Sequence, residues 1–240
     1  MYTLFISDLH LHESRPHITR AFFQFLHEQT PDLETLYILG DFFDTWIGDD
    51  DDAHLNAEVA AELKQLNQQG TQIFLMHGNR DFLLGEKFAA DAGASLIAEG
   101  TIIDLYGCPT LLLHGDNLCI ADKDYIKYRQ QVRSAQWQQH ILAQPLAARR
   151  VIATQLRAKS QAMNSLKAED ILDVTPEEVE RVMQEASIPR LIHGHTHRPA
   201  RHLLTIGGQH AERIVLGDWH DQAWAINATP DKIELIHWNI

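Results

Sequence analysis

An α/β fold carrying one helical insertion is what this 240-residue sequence predicts, and three observations carry that reading. Short β-type apolar runs alternate with segments of helical spacing over the first ~120 residues, the pattern of β-α-β units. Five such runs end in Asp, Asn or His with Gly nearby: Asp8-Leu9-His10, Gly40-Asp41, Gly78-Asn79-Arg80-Asp81, His114-Gly115-Asp116 and His193-Gly194-His195-Thr196-His197. Residues 121–168 contain no clear strand, keep helical spacing, and hold nine Lys/Arg against two Asp.

Taken in order, Met1–Ser7 reads as a strand. Pro16 to about Gln29 is a helix, with Ser14 or Arg15 near its cap and Pro at a first-turn position. Leu36–Leu39 is the second strand, followed by a helix from about Ala53 to Gln69 that Gly70 closes. Ile73–His77 is the third, and Glu86–Asp91 a short helix ended by Gly93. Thr101–Tyr106 and Thr110–Leu113 read as strands joined by a Gly107-Cys108-Pro109 turn. The helical insertion breaks near Gln144-Pro145. Thr175-Pro176-Glu177-Glu178 reads as a capping box with Pro at the first helical position, opening a helix to about Ala186. Strands resume at Leu191–His193, Arg213–Leu216, Ala223–Ile226 and Ile233–His237. The core is therefore residues 1–120 and 169–240, and residues 121–168 are a basic amphipathic insertion or cap.

Composition narrows the function. The net charge of −13 argues against a nucleic-acid binder, which needs a basic face. The charge is uneven: the insertion is +7 and the remainder −20. Cys108 and Cys119 form no CxxC metal pattern and no disulfide framework, so a reducing cytosol is expected. No signal-peptide pattern is visible, because Asp8 and His10 fall where its apolar stretch would run. No apolar stretch approaches the ~20 residues of a membrane span, so any action at a membrane is expected from its surface.

Loops at the carboxyl ends of strands in an open α/β sheet converge on one crevice. Carboxylate, amide and imidazole arriving there without thiolate suggest one or two divalent metals. Asp8 and His10 sit two apart, as do His195 and His197, so each pair could point the same way from a strand end. Asp41 follows a small Gly, and Asn79 offers a carbonyl oxygen that suits Mn²⁺ or Mg²⁺ better than Zn²⁺. A lone His after a strand is commonly structural and an Asp before a helix is commonly a cap. Seven such residues at five strand ends are not explained that way.

As a set, Asp-x-His, Gly-Asp, Gly-Asn-Arg-Asp, His-Gly-Asp and Gly-His-Thr-His resemble the calcineurin-like metallophosphoesterases over residues 8–197. The resemblance implies a four-layer α/β/β/α metallophosphoesterase sandwich. It implies one metal on Asp8, His10, Asp41 and His197 and a second on Asp41, Asn79, His114 and His195. The two ions, Mn²⁺ before others, would lower the pKa of an attacking water.

Arg80 stands where many members of that family carry a His that can protonate a poor leaving group. A guanidinium gives up no proton but neutralises phosphate charge in a fork geometry, which tilts the reading toward anhydride cleavage. The plainer alternative is a surface Arg paired with Asp81. Basic charge mixed with Trp137 and aliphatics also describes a surface that meets anionic lipid. Arg157, Ser160, Asn164 and Lys167 fall on one helix face and could clamp a diphosphate or sugar.

The longer matches Ile6-Ser7-Asp8-Leu9-His10-Leu11, Trp46-Ile47-Gly48-Asp49-Asp50-Asp51, His77-Gly78-Asn79-Arg80-Asp81-Phe82-Leu83-Leu84-Gly85 and His193-Gly194-His195-Thr196-His197-Arg198-Pro199 closely resemble the bacterial UDP-2,3-diacylglucosamine pyrophosphohydrolases of lipid A biosynthesis. That resemblance implies water attack at the α-phosphorus, giving UMP and 2,3-diacylglucosamine 1-phosphate. It implies substrate contacts at Asn79, Arg80, Asp122, Ser160, Asn164, Lys167 and His195, with Arg80, Asn79 and His195 at the reacting phosphate. The expected partners are a nucleotide-activated glycolipid and an anionic membrane surface, on the cytoplasmic face of the inner membrane, with no nucleic acid and no obligate protein partner. His193 and Asp116 are expected to hold ligands in the right tautomer. His12 is expected on the surface, and Asp44 and Asp49–Asp52 as a cap and a solvated turn. A metallophosphoesterase acting on a soluble nucleotide, and a non-catalytic scaffold, remain as alternatives.

Overall fold

Two sheets lie face to face, each backed by helices, in a computed structural model that describes residues 1–164, 171 and 173–240. The first sheet has the order β11-β10-β1-β2-β3-β4, from β1 (Tyr2–Ile6), β2 (Leu33–Leu39), β3 (Gln72–Met76), β4 (Ser95–Ile97), β10 (Gln222–Ala228) and β11 (Ile233–Asn239). Strands β1 to β4 pair in parallel, and β10 and β11 join antiparallel at the β1 side. The second sheet runs β5-β6-β7-β9-β8, from β5 (Thr101–Leu105), β6 (Cys108–Leu112), β7 (Arg190–His193), β8 (Ala200–Ile206) and β9 (Gln209–Val215).

Side-chain alternation builds the layers. In β1 and β2, Leu4, Ile6, Leu36 and Ile38 pack outward beneath α1 (Pro16–His27) and α2 (His54–Gln68), on Ile18, Phe22, Val59 and Leu63. Phe5 and Leu39, one residue out of phase, point instead between the sheets, where they meet Leu112, Ile192 and Ile214. In the second sheet Leu111 and Leu191 face outward onto Val179 and Met183 of α7 (Pro176–Ala186). Three apolar seams between four layers are the α/β/β/α sandwich. Each large side chain fully buried in them contributes about 1.5–3 kcal/mol.

Some boundaries differ from the sequence reading. The β5–β6 turn is Tyr106–Gly107, with φ of 53° and 85°, which suits a two-residue hairpin turn and leaves Cys108 and Pro109 inside β6. Pro176 opens α7 as expected, but Thr175 makes no side-chain cap. Its hydroxyl is buried without a partner, and Glu178 is drawn to Arg181 at 2.6 Å. Strands β4 and β8 escaped the periodicity argument. β4 is three residues long, and in β8 the outward Leu203 is 86% exposed, which hides the alternation. The insertion folds as α4 (Lys123–Val132), α5 (Ala135–Leu142) and α6 (Leu146–Asn164). The break at Gln144-Pro145 is present, and a second falls at Arg133–Ser134, where Ser134 caps α5 by accepting the Trp137 N–H at 3.3 Å.

Candidate active site

Loops after β1, β2, β3, β6 and β7 converge on one point. Five of the seven expected ligands there have left-handed backbone: Asp8 (φ 58°), His10 (48°), Asp41 (49°), His195 (68°) and His197 (55°). Asp and His tolerate this region better than most residues, and such conformations persist only where the surroundings enforce them. Asp8 and His10 therefore converge through kinks beyond the strand end, and not through strand alternation as the spacing suggested. Close backbone approach needs glycine at two of these loops. A Cβ on Gly78 would stand 2.1 Å from the Asp41 nitrogen, and one on Gly194 would stand 2.2 Å from Asp8 Oδ2.

Two groups of donor atoms result. Asp8, His10 and His197 present ligand atoms within 4.8 Å of one another, and so do Asp8, Asp41 and His114. His197 Nε2 lies 3.4 Å from Asp8 Oδ1, and His10 Nδ1 lies 3.8 Å from Asp41 Oδ2. Asn79 Oδ1 lies 2.9 Å from His114 Nε2 and 2.8 Å from His195 Nδ1, with Asp41 Oδ1 3.6 Å from His114. The structure thus brings together all seven residues expected to bind metal.

These atoms fit divalent cations. Asp8 Oδ1 and His10 Nδ1 are buried without hydrogen-bond partners, an expense that a bound ion removes. His114 Nδ1 donates to the Leu39 carbonyl at 2.9 Å, which leaves Nε2, 2.9 Å from Asn79 Oδ1, as the ring atom for a metal. Without an ion, protons supply the positive charge. Burial lowers the His114 pKa, but Asp41, Asp8 and Asp116 outweigh it and lift the group to about 9. Burial likewise opposes His197, yet Asp218 and Asp8 raise it to about 10. Burial drives Asp41 up to about 7, with Asp81 and Asp8 adding to the rise against His114 and Arg80. Burial would raise Asp8 as well, but the His197 imidazole 3.4 Å away and the charges of His114 and His10 hold it well below the usual carboxylate range. Burial and the charge on His114 depress His195 to about 4, so its ring is neutral and ready to ligate.

Outer contacts hold the ligands. Ser7 Oγ donates to Asp8 Oδ2 at 2.5 Å, and the His195 N–H donates to the same oxygen at 2.9 Å. Asp218 Oδ2 lies 3.4 Å from His197 Nδ1, the carboxylate that orients a ligating imidazole. Sequence reasoning missed Asp218, although Gly217-Asp218 repeats the strand–Gly–Asp pattern of Gly40-Asp41.

Several roles change. Arg80 does not pair with Asp81: its N–H donates to Asp41 Oδ1 at 2.8 Å and its Nε lies 3.7 Å from Asp41 Oδ2. Asp81 is buried and instead accepts backbone N–H groups of Gly78 and Phe42. Asp116 accepts from Tyr125 Oη and Arg129 Nε, and its charge acts on His114. His193 donates from Nδ1 to the Gly194 carbonyl at 2.8 Å, bracing the loop behind the ligands rather than a ligand ring. Asp44 and the Asp49–Asp52 run are no idle turn. Asp44 pairs with Arg157 at 2.8 Å, Asp50 with Arg149, Asp51 and Asp52 with Arg150, and Asp49 accepts the Gly85 N–H. His12 is on the surface, bonded to Ser14.

A cleft of about 590 Å³ opens beside the donor cluster. Asn79, Arg80, Arg157 and Ser160 line its polar part, and Trp46, Phe82, Val132, Trp137, Ile141 and Leu156 its apolar part. Asp122 is 7% exposed and serves as the N-cap of α4, accepting the Tyr125 N–H at 3.1 Å. Asn164 ends α6, and Lys167 lies outside the described residues.

The calcineurin-like phosphoesterase family pattern matches residues 1–199. A protein of Cellvibrio japonicus named UDP-2,3-diacylglucosamine hydrolase is 66% identical over 240 residues, all of both chains. Proteins of the same name from Marinobacter nauticus and Pseudomonas aeruginosa are each 53% identical, covering 97% and 94% of this chain and 95% and 94% of their own.

Proposed function

Because this chain belongs to the calcineurin-like phosphoesterase family, we propose that it hydrolyses the diphosphate of UDP-2,3-diacylglucosamine to UMP and 2,3-diacylglucosamine 1-phosphate, a step of lipid A biosynthesis. The observation that carries this reading is the cleft, which runs from Asn79 and Arg80 beside the donor cluster to a wall of Trp137, Ile141 and Leu156. A soluble nucleotide needs no such wall. Its volume lies within the ~300–1,000 Å³ common for small-molecule sites.

Asp8, His10, Asp41 and His197 would hold one divalent ion and Asp41, Asn79, His114 and His195 a second, with Mn²⁺ favoured by the oxygen and imidazole donors. When bound, two such ions activate water and neutralise developing phosphate charge. Asp41 fixes the Arg80 backbone and holds its guanidinium at the cleft, where a fork of donors suits a diphosphate. Water oxygen bonds to the α-phosphorus, releasing a proton to solvent, as the bond to the bridging oxygen breaks. The departing sugar 1-phosphate is already an anion that needs no proton, so an arginine serves where an acid would otherwise be required. Ser160 and Arg157 on α6, with Asn164 and Lys167 further along the chain, are proposed for the sugar phosphate, and Asp122 for shaping the entrance.

Residues 121–168 are proposed as a cap sheltering the acyl chains. No helix among the described residues is long and apolar enough to cross a membrane. Surface association with the cytoplasmic face of the inner membrane is proposed from exposed Leu142, Val151, Lys123 and Lys127 on the cap. The test is turnover of UDP-2,3-diacylglucosamine in detergent micelles and ¹⁸O-water, with Mn²⁺ added or chelated. Metal-dependent UMP carrying the label is expected. Cleavage of a generic aryl phosphodiester without that product would overturn the substrate assignment.

A further inference from the structure

The cap's first helix meets the reaction centre through one aromatic ring. Tyr125 lines the cleft, and its ring stacks on His195 with centroids 6.3 Å apart and planes 25° from parallel. Its hydroxyl does not face the cleft's phosphate end; it donates to Asp116 Oδ2. Asp116 is fully buried, and the same oxygen accepts Arg129 Nε at 2.8 Å. Arg129 then reaches Glu99 with a terminal guanidinium nitrogen. Glu99 stands before β5 and Asp116 follows β6, so both carboxylates belong to the core, while Tyr125 and Arg129 are one turn apart on α4. None of these four residues is an expected metal ligand.

We propose that Glu99, Arg129 and Asp116 form a fixed chain of contacts that positions Tyr125 over His195, making Tyr125 the roof of the reaction centre. The inference rests on the diphosphate hydrolysis proposed above. Tyr125 acts through its ring: the hydroxyl proton is committed to Asp116, so the phenol neither donates to phosphate nor serves as an acid. The ring closes one side of the site against water and fixes where the diphosphate can sit, and misplacement by about 1 Å can cost up to ~100-fold in rate.

The guanidinium is chosen for reach. Its Nε and terminal nitrogen serve two carboxylates at once, which a single ammonium cannot do in the same geometry. Asp116 Oδ1 and Glu99 Oε1 are buried without partners, so two carboxylates share this one cation. Substitutions at Arg129 risk the fold for that reason, and the test begins at the two ends of the chain.

Tyr125→Phe keeps the ring and removes its tether; Glu99→Gln weakens the far anchor. With UDP-2,3-diacylglucosamine in micelles, Tyr125→Phe is expected to lower kcat about tenfold with KM changed less than about twofold. Glu99→Gln is expected to lose less, and the double variant no more than Tyr125→Phe alone, because both act through one ring. Metal content is expected to match the unaltered protein, and hydrolysis of a small aryl phosphodiester to fall by less than that of the lipid diphosphate. Arg129→Lys, where it folds, is expected to behave like Glu99→Gln and not as a rescue. Unchanged kcat in Tyr125→Phe overturns the inference, as do additive losses, or equal loss on both substrates together with lost metal. An unaltered protein that cleaves only the aryl diester overturns the functional reading and this inference with it.

Discussion

Asp81→Asn tests how the site is held together. The Asp81 side chain bridges the loop carrying Asp41 to the loop carrying Asn79, with Oδ1 accepting the Gly78 N–H at 2.7 Å and Oδ2 the Phe42 N–H at 2.8 Å. The Phe43 N–H stands further off at 3.4 Å. Asparagine keeps one oxygen for Phe42 and turns an NH₂ donor against the Gly78 N–H. One hydrogen bond to a charged group is worth about 1.5–3 kcal/mol, and a buried donor left unmade costs about 1–3 kcal/mol more. The Asp81 charge also repels Asp41, so removing it gives part of that back. A net loss of about 2–4 kcal/mol follows, which for a chain of this size lowers Tm by roughly 5–15 °C. Calorimetry in excess chelator reads the fold alone, and metal titration afterwards should show weakened binding of the ion assigned to Asn79. A chelated Asp81→Asn protein melting within about 2 °C of the unaltered chain would refute the bridging argument.

Three further outcomes follow from the geometry. Arg80→Lys is expected to lower kcat on the lipid diphosphate by about 10²–10³-fold at full metal content, since a point charge replaces a fork; elemental analysis with steady-state kinetics checks it. His114 at about 9 and His197 at about 10 are protonated at pH 8 in the metal-free protein, whereas metal ligands must be neutral. Metal uptake at pH 8 should therefore release about two protons, and calorimetric titration in buffers of different ionisation enthalpy counts them. By the same sign, these raised imidazoles stabilise the metal-free fold fully below pH 6.5, and that contribution fades as pH rises through 9 and 10. Arg149→Met removes donors to the Ile47 carbonyl (2.6 Å), Asp50 Oδ1 (2.7 Å) and the Gln144 carbonyl (2.9 Å) from a side chain only 3% exposed. It should cost about 2–4 kcal/mol in urea denaturation and raise KM for the lipid while sparing the aryl phosphodiester.

Most of the expected ligands were legible in the sequence through a local rule: Asp8, Asp41, Asn79 and His195 follow an apolar strand and a small residue, while His114 follows Leu113 directly. Asp8, Asp41, Asn79, His114 and His195 each announce themselves within three residues of a strand end. What escaped depends on segments far apart in the chain. The Arg149–Asp50 pair joins residues 99 apart, and the Arg157–Asp44 bond spans 113. No window of spacing reveals such a pair, so the Asp49–Asp52 run looked like a solvated turn. Tyr125 bears no local mark on its helix, since its value comes from Asp116 behind it and His195 in front. Asp218 was visible in principle, but a lone carboxylate after one strand carries little weight until a second histidine nitrogen is known to need a partner.

The charge asymmetry shows how folding can reassign a compositional signal. A +7 insertion on a −20 remainder reads as a surface seeking an outside anion. Its five arginines bond the core instead, four of them turned inward and Arg150 at the surface. Arg129 and Arg133 bond Asp116 and the Gly78 carbonyl, and Arg149, Arg150 and Arg157 bond the acids of residues 44–52. The attraction ties the helical insertion to the core on both sides of the cleft, which would set the proposed acyl wall and the donor cluster around one substrate. Among the described basic residues of the insertion, Lys123, Lys127 and Lys159 are exposed, and so is Arg150, whose charge Asp51 and Asp52 already meet. Each basic residue near an anionic bilayer contributes about 1 kcal/mol, so three supply about 3 kcal/mol. That is weaker than stable anchoring requires. The proposed residence at a membrane would therefore have to draw on apolar contact at Leu142 and Val151 and on the proposed lipid substrate, which would make that substrate part of what keeps the protein at the surface.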